Sequence, residues 1–280
     1  MNLPPAIHLM RLHQPVGIWL LLWPCWWAVA LASGGRPSLW ILLLFAIGAV
    51  AMRSAGCIVN DIADREFDRK VERTRLRPLA SGEMGVKQAL AWLVLLLAIA
   101  LADAALLGPQ VMLWAALALP LVAAYPFMKR ISWWPQLFLG LTFNWGALAG
   151  WAAVRGAVEL PALLLYAGGV CWTLGYDTIY AHQDKIDDAR AGVKSTALRL
   201  GENTRRAVGW FYVLAVLLWC LAGWVAQSGM GLFAFLALAQ LHFAWQLCTV
   251  RLDDPASCRR VFVSNVRLGA LVFAGMLLSR

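Results

Sequence analysis

The sequence predicts an all-α integral membrane protein, with nine transmembrane helices around a central cavity, built as two four-helix halves plus a ninth helix. Three observations carry this. The chain of 280 residues is 61% hydrophobic and only 14% charged, with a mean hydropathy of +0.68, which is more apolar surface than a soluble domain of this length needs. Apolar runs of bilayer-crossing length, about 17 to 25 residues, recur from end to end, and none alternates with the two-residue period of an outer-membrane barrel strand. The basic residues crowd into alternate connections. A single transmembrane domain over 1–280 is expected.

The first crossing covers 16–33. Its Trp-Pro-Cys-Trp-Trp core (Trp23 to Trp27) makes a poor signal-peptide hydrophobic region and no small-residue cleavage pattern flanks it, so the segment is expected to be retained. The second covers 38–59 and leads into a charged loop of about 60–85. The third, 88–107, turns through Leu107-Gly108-Pro109-Gln110 into the fourth, 110–126. The fifth and sixth cover 135–153 and 160–180, and a second acidic loop follows at about 177–205. The seventh, 208–226, turns through Gln227-Ser228-Gly229 into the eighth, 229–250, and the ninth covers 262–279.

The net charge of +9 reflects where the cations sit, not a nucleic-acid partner. Arg65, Arg69, Lys70, Arg73, Arg75 and Arg77 follow the second crossing, and Lys129 and Arg130 the fourth. Lys185, Arg190, Lys194, Arg199, Arg205 and Arg206 follow the sixth, and Arg251, Arg259 and Arg260 the eighth. The positive-inside rule puts the N-terminus and these loops in the cytoplasm. The expected location is a bacterial inner (plasma) membrane, multi-pass, with the active-site loops facing the cytoplasm. The six Cys lack paired spacing and read as small buried hydrophobes rather than metal ligands or disulfides.

Carboxylates are concentrated where the chemistry is expected. Asp61, Asp64, Glu66, Asp68, Glu72 and Glu83 follow the second crossing, and Asp177, Asp184, Asp187 and Asp188 end the sixth, so ten of fifteen lie in two places. These places are equivalent if the first eight helices are two sets of four, an internal duplication of a kind common in membrane proteins. Asn60, Asp64 and Asp68 are spaced by four and stack on one face if the second helix continues. Asp177, Asp184 and Asp188 form a second stripe. Like charges one turn apart destabilise a helix, so something must offset them. Clustered hard oxygens suit Mg2+, which completes its shell with water and phosphate oxygens. The interleaved Arg and Lys turn a bare cation site into a diphosphate site. The alternative, that these are merely solvated loops, explains the Arg and Lys but not two carboxylate rows. Arg53, inside the apolar span seven residues before Asn60, is expected to face the same interior.

The stretch NDIADREFDRKVERTRLRPLASG resembles the first Asp-rich motif of the UbiA-type intramembrane prenyltransferases, NDxxDxxxD followed by RTxxRPL. YDTIYAHQDKIDDARAGVKSTALRLG resembles their second motif, in the version carried by the 4-hydroxybenzoate branch. RLHQPVGIWLLLWPCWWAV resembles that branch's opening, with His13-Gln14 where Asp-Lys is usual.

The resemblance implies Mg2+-dependent transfer of a polyprenyl group from its diphosphate to carbon 3 of 4-hydroxybenzoate, in ubiquinone biosynthesis. It implies metal-binding positions at Asn60, Asp64 and Asp68 and at Asp184 and Asp188. Asp64, Asp68, Asp184, Asp188 and Arg53 are the expected catalytic residues. Arg53, Arg65, Arg69, Lys70, Arg77, Lys129, Arg130, Tyr180, Lys185 and Lys194 are the expected substrate-binding residues. Tyr176 and Tyr180 could meet a cation with their ring faces. The aromatic carboxylate has Arg53, Lys129 and Arg130 as candidate partners. The Trp-rich segments read as interfacial belts or pocket linings. The expected partners are the two substrates and the lipid bilayer, with no nucleic acid and no protein partner indicated. Two alternatives remain: a prenyltransferase for another aromatic acceptor, and a cation-coupled transporter.

Overall fold

The computed structural model describes residues 4–280 except 70, 71, 73 and 191. Lys70, expected in the diphosphate site, lies outside the described residues. Among those residues the long elements are all helices: α1 (Val16–Ala32), α2 (Leu39–Ala63), α3 (Val86–Leu107), α4 (Pro109–Ala124), α5 (Pro135–Phe143), α6 (Gly146–Arg155), α7 (Leu160–Ala181), α8 (Thr204–Val225), α9 (Met230–Thr249) and α10 (Pro255–Leu277). Each apolar run of the sequence has become helix, with the fifth divided into α5 and α6.

By length and composition, seven helices or helix pairs among the described residues can cross a bilayer. They are α2, α3, α4 with its continuation to Ile131, α5 with α6, α8 with the turns before it, α9 and α10. Helix α1 is apolar but only 17 residues long. Helix α7 has the length but carries Thr173, Tyr176, Asp177 and Thr178 in its C-terminal half. These two helices account for the difference from nine.

The borders have local causes. The ninth run was expected from 262, yet α10 begins at Pro255 because Asp254 Oδ1 accepts from the Ala256 amide at 3.0 Å and proline leads the helix. Arg259 and Arg260 are therefore helical rather than part of a loop. The fifth run breaks at Asn144, whose Nδ2 donates to the Gly140 carbonyl and to Thr173 Oγ1, both at 2.8 Å. A side chain that bonds back four residues competes with the helical ladder. The chain resumes at Gly146, where a Cβ would overlap Cys25 of α1.

Helix α2 packs along α3, α7 along α8, and α1 lies against both α6 and α10. The core between α1, α7, α8 and α10 is aromatic. Trp27, Trp172 and Trp219 meet with ring centroids 5.0 to 6.2 Å apart, all fully buried. Two of the indoles find acceptors, Trp27 on the Gly269 carbonyl (2.9 Å) and Trp172 on Asn265 Oδ1 (2.8 Å), as buried indoles usually do, while Trp219 Nε1 is buried without one. Trp23 and Trp27 are thus core residues rather than a belt at the interface. The cysteines are free, and Cys25, Cys57 and Cys258 are buried.

At one rim, the Ser279 carbonyl accepts from the Gly229 amide and Arg280 Nε donates to the Gly34 carbonyl, both at 2.9 Å. The opposite rim carries the charged loops.

Candidate active site

Helix α2 runs four residues past its expected border, so Asn60 and Asp61 are helical. Asp64 closes the helix with φ −100 and ψ 5, and a separate turn, Arg65–Asp68, follows. The row of Asn60, Asp64 and Asp68 is therefore bent at its middle member rather than straight. The bend turns Asp68 inward until it is buried.

Each acid of this row has found a cation. Lys129 Nζ forms a short ion pair with Asp64 Oδ2, and Arg130 Nη2 stands 3.5 Å from Oδ1. Arg77 Nη1 donates to Asp68 Oδ2 at 2.8 Å and reaches Asp61 Oδ1 at 3.2 Å. Arg11 Nη2 donates to both oxygens of Asp61 at 2.8 Å. Arg65 and Arg69 are not gathered with them. Their Nε atoms donate to the Leu79 and Ala80 carbonyls at 3.1 Å, and Arg69 pairs with Glu66. They hold the backbone of the Pro78–Ser81 turn.

Arg53 lies deeper on α2. Its Nη1 contacts Cys57 Sγ at 2.7 Å and its guanidinium stands 5.8 Å from the Phe143 ring centroid. Its Nε is buried with no hydrogen-bond partner. Gly17 of α1 makes room, since a Cβ there would strike that guanidinium.

The second acidic segment continues α7. The helix ends at Ala181, tightens through a 3-10 turn at His182–Asp184, and resumes at Lys185–Arg190. Asp184 and Asp188 are partly buried and Asp187 is exposed. Lys185 is partly buried beside His182. Tyr176 is buried, while Tyr180 packs tilted against Phe262 of α10, with ring centroids 4.2 Å apart. Lys194 leaves the segment for the one after α4. Its amide donates to the Lys129 carbonyl at 2.9 Å, its Nζ donates to the Ile131 carbonyl at 3.0 Å, and it lies over the Trp133 ring. Burial, with Lys185 adding to it against the opposing pull of Asp253, lowers the His182 pKa to about 4. The ring is neutral and Nε2 lies 3.0 Å from Thr204 Oγ1.

Tyr125, which follows α4, lies within electrostatic reach of Arg53, Cys57 and Asp64 from α2 and of Asp177 from α7. Asp177 in turn feels Arg53 and Asp184.

Among the described residues no three Asp, Glu, His or Cys side chains already surround a point that could hold an ion. The donor set still fits Mg2+ in kind, being all hard oxygen. Asp64 and Asp68 are also drawn here to Lys129 and Arg77, so positive charge is wanted at both.

Sequence reasoning missed Tyr125, Asp61 and Arg11, and it counted Asp177 in a stripe without giving it a role. Asp61 could have been found, because it is one residue off the row and must face elsewhere. Arg11 opens the RLHQPVG stretch, but nothing there ties it to Asp61, fifty residues away, and nothing marks Tyr125 at the end of an apolar run.

A polytopic helical protein with two acidic segments and a ring of cations at one rim belongs to the class of membrane enzymes that handle a polyanionic headgroup. A profile of the UbiA prenyltransferase family matches residues 21–273, and the chain belongs to that family. The transporter alternative falls with this membership. The chain is 48% identical over 275 residues to the mitochondrial 4-hydroxybenzoate polyprenyltransferase of Arabidopsis thaliana, covering 97% of this chain and 68% of that one. It is 46% identical over 277 residues to the enzyme of the same name from Drosophila melanogaster, covering 98% and 71%. Among solved structures, the apo structure of a UbiA homolog from Aeropyrum pernix K1 matches with a TM-score of 0.79 at 29% identity, covering 92% and 96%. A homolog from Archaeoglobus fulgidus bound to GPP and Mg2+ shares the fold, with a TM-score of 0.76 at 21% identity, covering 99% and 100%. These relatives correct one expectation. Those at 46–48% identity are named as mitochondrial proteins of an insect and a plant, which overturns the bacterial inner membrane. The multi-pass membrane character stands.

Proposed function

We propose that this chain transfers a polyprenyl group from polyprenyl diphosphate to carbon 3 of 4-hydroxybenzoate, a membrane step of ubiquinone biosynthesis. The observation that carries this reading is that Arg53 and Asp64 of α2 and Asp177 of α7 all lie within electrostatic reach of Tyr125, beside a rim that carries Lys129, Arg130, Arg77 and Lys194. The near-full-length likeness to enzymes of that name supports the acceptor. In this reading residues 1–280 form one transmembrane domain of nine crossings, with the short α1 and the polar α7 completing the set.

Asn60, Asp64 and Asp68 on one side and Asp184 and Asp188 on the other would hold Mg2+. When bound, that ion supplies charge neutralisation for the diphosphate as it leaves. Lys129, Arg130, Arg77, Lys185 and Lys194 bind the diphosphate oxygens and take up the charge that grows when the allylic C–O bond breaks. Lys129 already stands at the rim between both acidic segments. Arg53 pairs with the aromatic carboxylate, offering an Nε that no protein group occupies. Phe143, Tyr125 and Tyr180 present ring faces to the allylic cation, while Tyr176 packs in the core against Trp172 and Phe262. Carbon 3 attacks the allylic carbon, a C–C bond forms, and the ring proton leaves to restore aromaticity. The surrounding helices exclude the water that would otherwise quench the cation to an alcohol.

The test is to give membranes holding the protein 4-hydroxybenzoate and a polyprenyl diphosphate, with and without Mg2+. Prenylated 4-hydroxybenzoate that forms only with Mg2+ is expected. Diphosphate release without that product would replace the acceptor, and Mg2+-independent product would overturn the metal assignment.

A further inference from the structure

Arg11, Asp61, Arg77 and Asp68 form an unbroken chain of ion pairs, of which Asp61 and Asp68 are buried. One atom is shared: Arg77 Nη1 lies 2.8 Å from Asp68 and 3.2 Å from Asp61. Asp61 is thereby the hub of two guanidiniums. It is only 2% exposed, and no role in metal or substrate binding follows from its place off the acidic row.

We infer that Asp61 is a positioning residue that keeps Arg77 paired when Asp68 turns to a divalent cation. The inference rests on the reading of Asp68 as a ligand. With Arg77 on Asp68, that carboxylate cannot give both oxygens to an ion. When it does so, Arg77 loses its shorter partner. A partly buried guanidinium without a partner is costly, but Asp61 Oδ1 is already in hydrogen-bond reach of the same nitrogen. Arg77 then needs a shift of tenths of an ångström rather than a new rotamer. Arg11 donates to both oxygens of Asp61, including the one that Arg77 reaches, and fixes the hub in place. Its own guanidinium is steadied by the His8 carbonyl at 2.6 Å. Its backbone is left-handed, with φ 57, which is uncommon for a residue with a side chain.

The experiment is thermal unfolding of the full chain in detergent, titrated with MgCl2 at fixed inorganic diphosphate. The readout is the Mg2+ concentration giving half the stabilisation, so no turnover is needed. Asp61→Asn leaves Arg77 dependent on Asp68, and the half-point rises about tenfold, the loss of one charge-assisted hydrogen bond. Arg11→Gln cuts the same buried cluster but leaves Asp61 to Arg77, so its half-point does not rise. A rise in this variant counts against the inference even where Asp61→Asn fails to fold. A half-point for Asp61→Asn equal to the parent's, or a rise in Arg11→Gln, overturns the inference alone. A parent that does not respond to Mg2+ overturns the ligand reading of Asp68, and this inference with it.

Discussion

Asp64 and Asp184 come from different segments, the first within electrostatic reach of Tyr125 and the second within reach of Asp177, which itself lies within reach of Tyr125. Replacing either should remove one side of the metal and diphosphate grip without touching the lipid-facing surface. Asp64→Ala and Asp184→Ala are each expected to lower product formation ~100-fold or more while the protein remains inserted, as a membrane assay with a quantified protein band would show. His182 makes a separate prediction, about stability. Its folded pKa is lowered to about 4, below the ordinary value of about 6.5. Between those values the unfolded chain binds more protons, so stability rises with pH across that window and is complete above it. Tm is expected to fall from pH 7.5 to pH 5, and His182→Gln is expected to shrink that fall. An unchanged pH response in the variant would remove His182 from the account. At this scale the sequence displays Asn60, Asp64, Asp68, Asp184 and Asp188, because spacing and charge are visible in one dimension. The pairs Arg11–Asp61 and Asp64–Lys129 are not visible, since each partner is dozens of residues away and its choice is made by tertiary packing.

Helix α7 shows what the elements require. Gly168 faces Trp219 and Gly175 faces Tyr212, both on α8, and a Cβ at either would overlap the ring. Small residues let membrane helices approach closely where lipid supplies no hydrophobic drive. Gly175→Ala is expected to destabilise by about 1–3 kcal/mol, and Gly56→Ala, where a Cβ meets nothing within 4 Å, is expected to hold or raise Tm. Equal Tm values for the two would show that the α7–α8 contact is looser than its geometry. The existence of each helix was legible from hydropathy. The turns of α10 before 262 were not, because Ser257, Arg259 and Arg260 are polar, and only the Asp254-Pro255 start signal announces them. The break at Asn144 depends on Thr173, a partner on another helix, so no local pattern could reveal it.

Over the whole molecule, Arg11 belongs to the rim with the acidic segments, whereas Ser279 and Arg280 bond to the Gly229 and Gly34 turns of the opposite rim. The two regions lie on opposite faces, which requires an odd number of crossings and agrees with the alternate placement of basic loops. With Cys248→Ser as background, an impermeant maleimide should label Arg280→Cys and Arg36→Cys from one side of sealed vesicles and Glu83→Cys only from the other. Labelling of Arg280→Cys from the same side as Glu83→Cys, with Arg36→Cys on the other, would require an even count. The alternation of charge was legible in the sequence; the closure of the far rim by backbone hydrogen bonds was not, because a backbone bond is indifferent to residue type. The bond from the Lys194 amide to the Lys129 carbonyl has a mechanical meaning. Lys129 grips Asp64, so the segment after α7 is laced to the segment after α2 through one residue. Such a rim behaves like a drawstring: slack given at 185–194 is felt at Asp64, and neither acidic arm can swing wide while the other stays still.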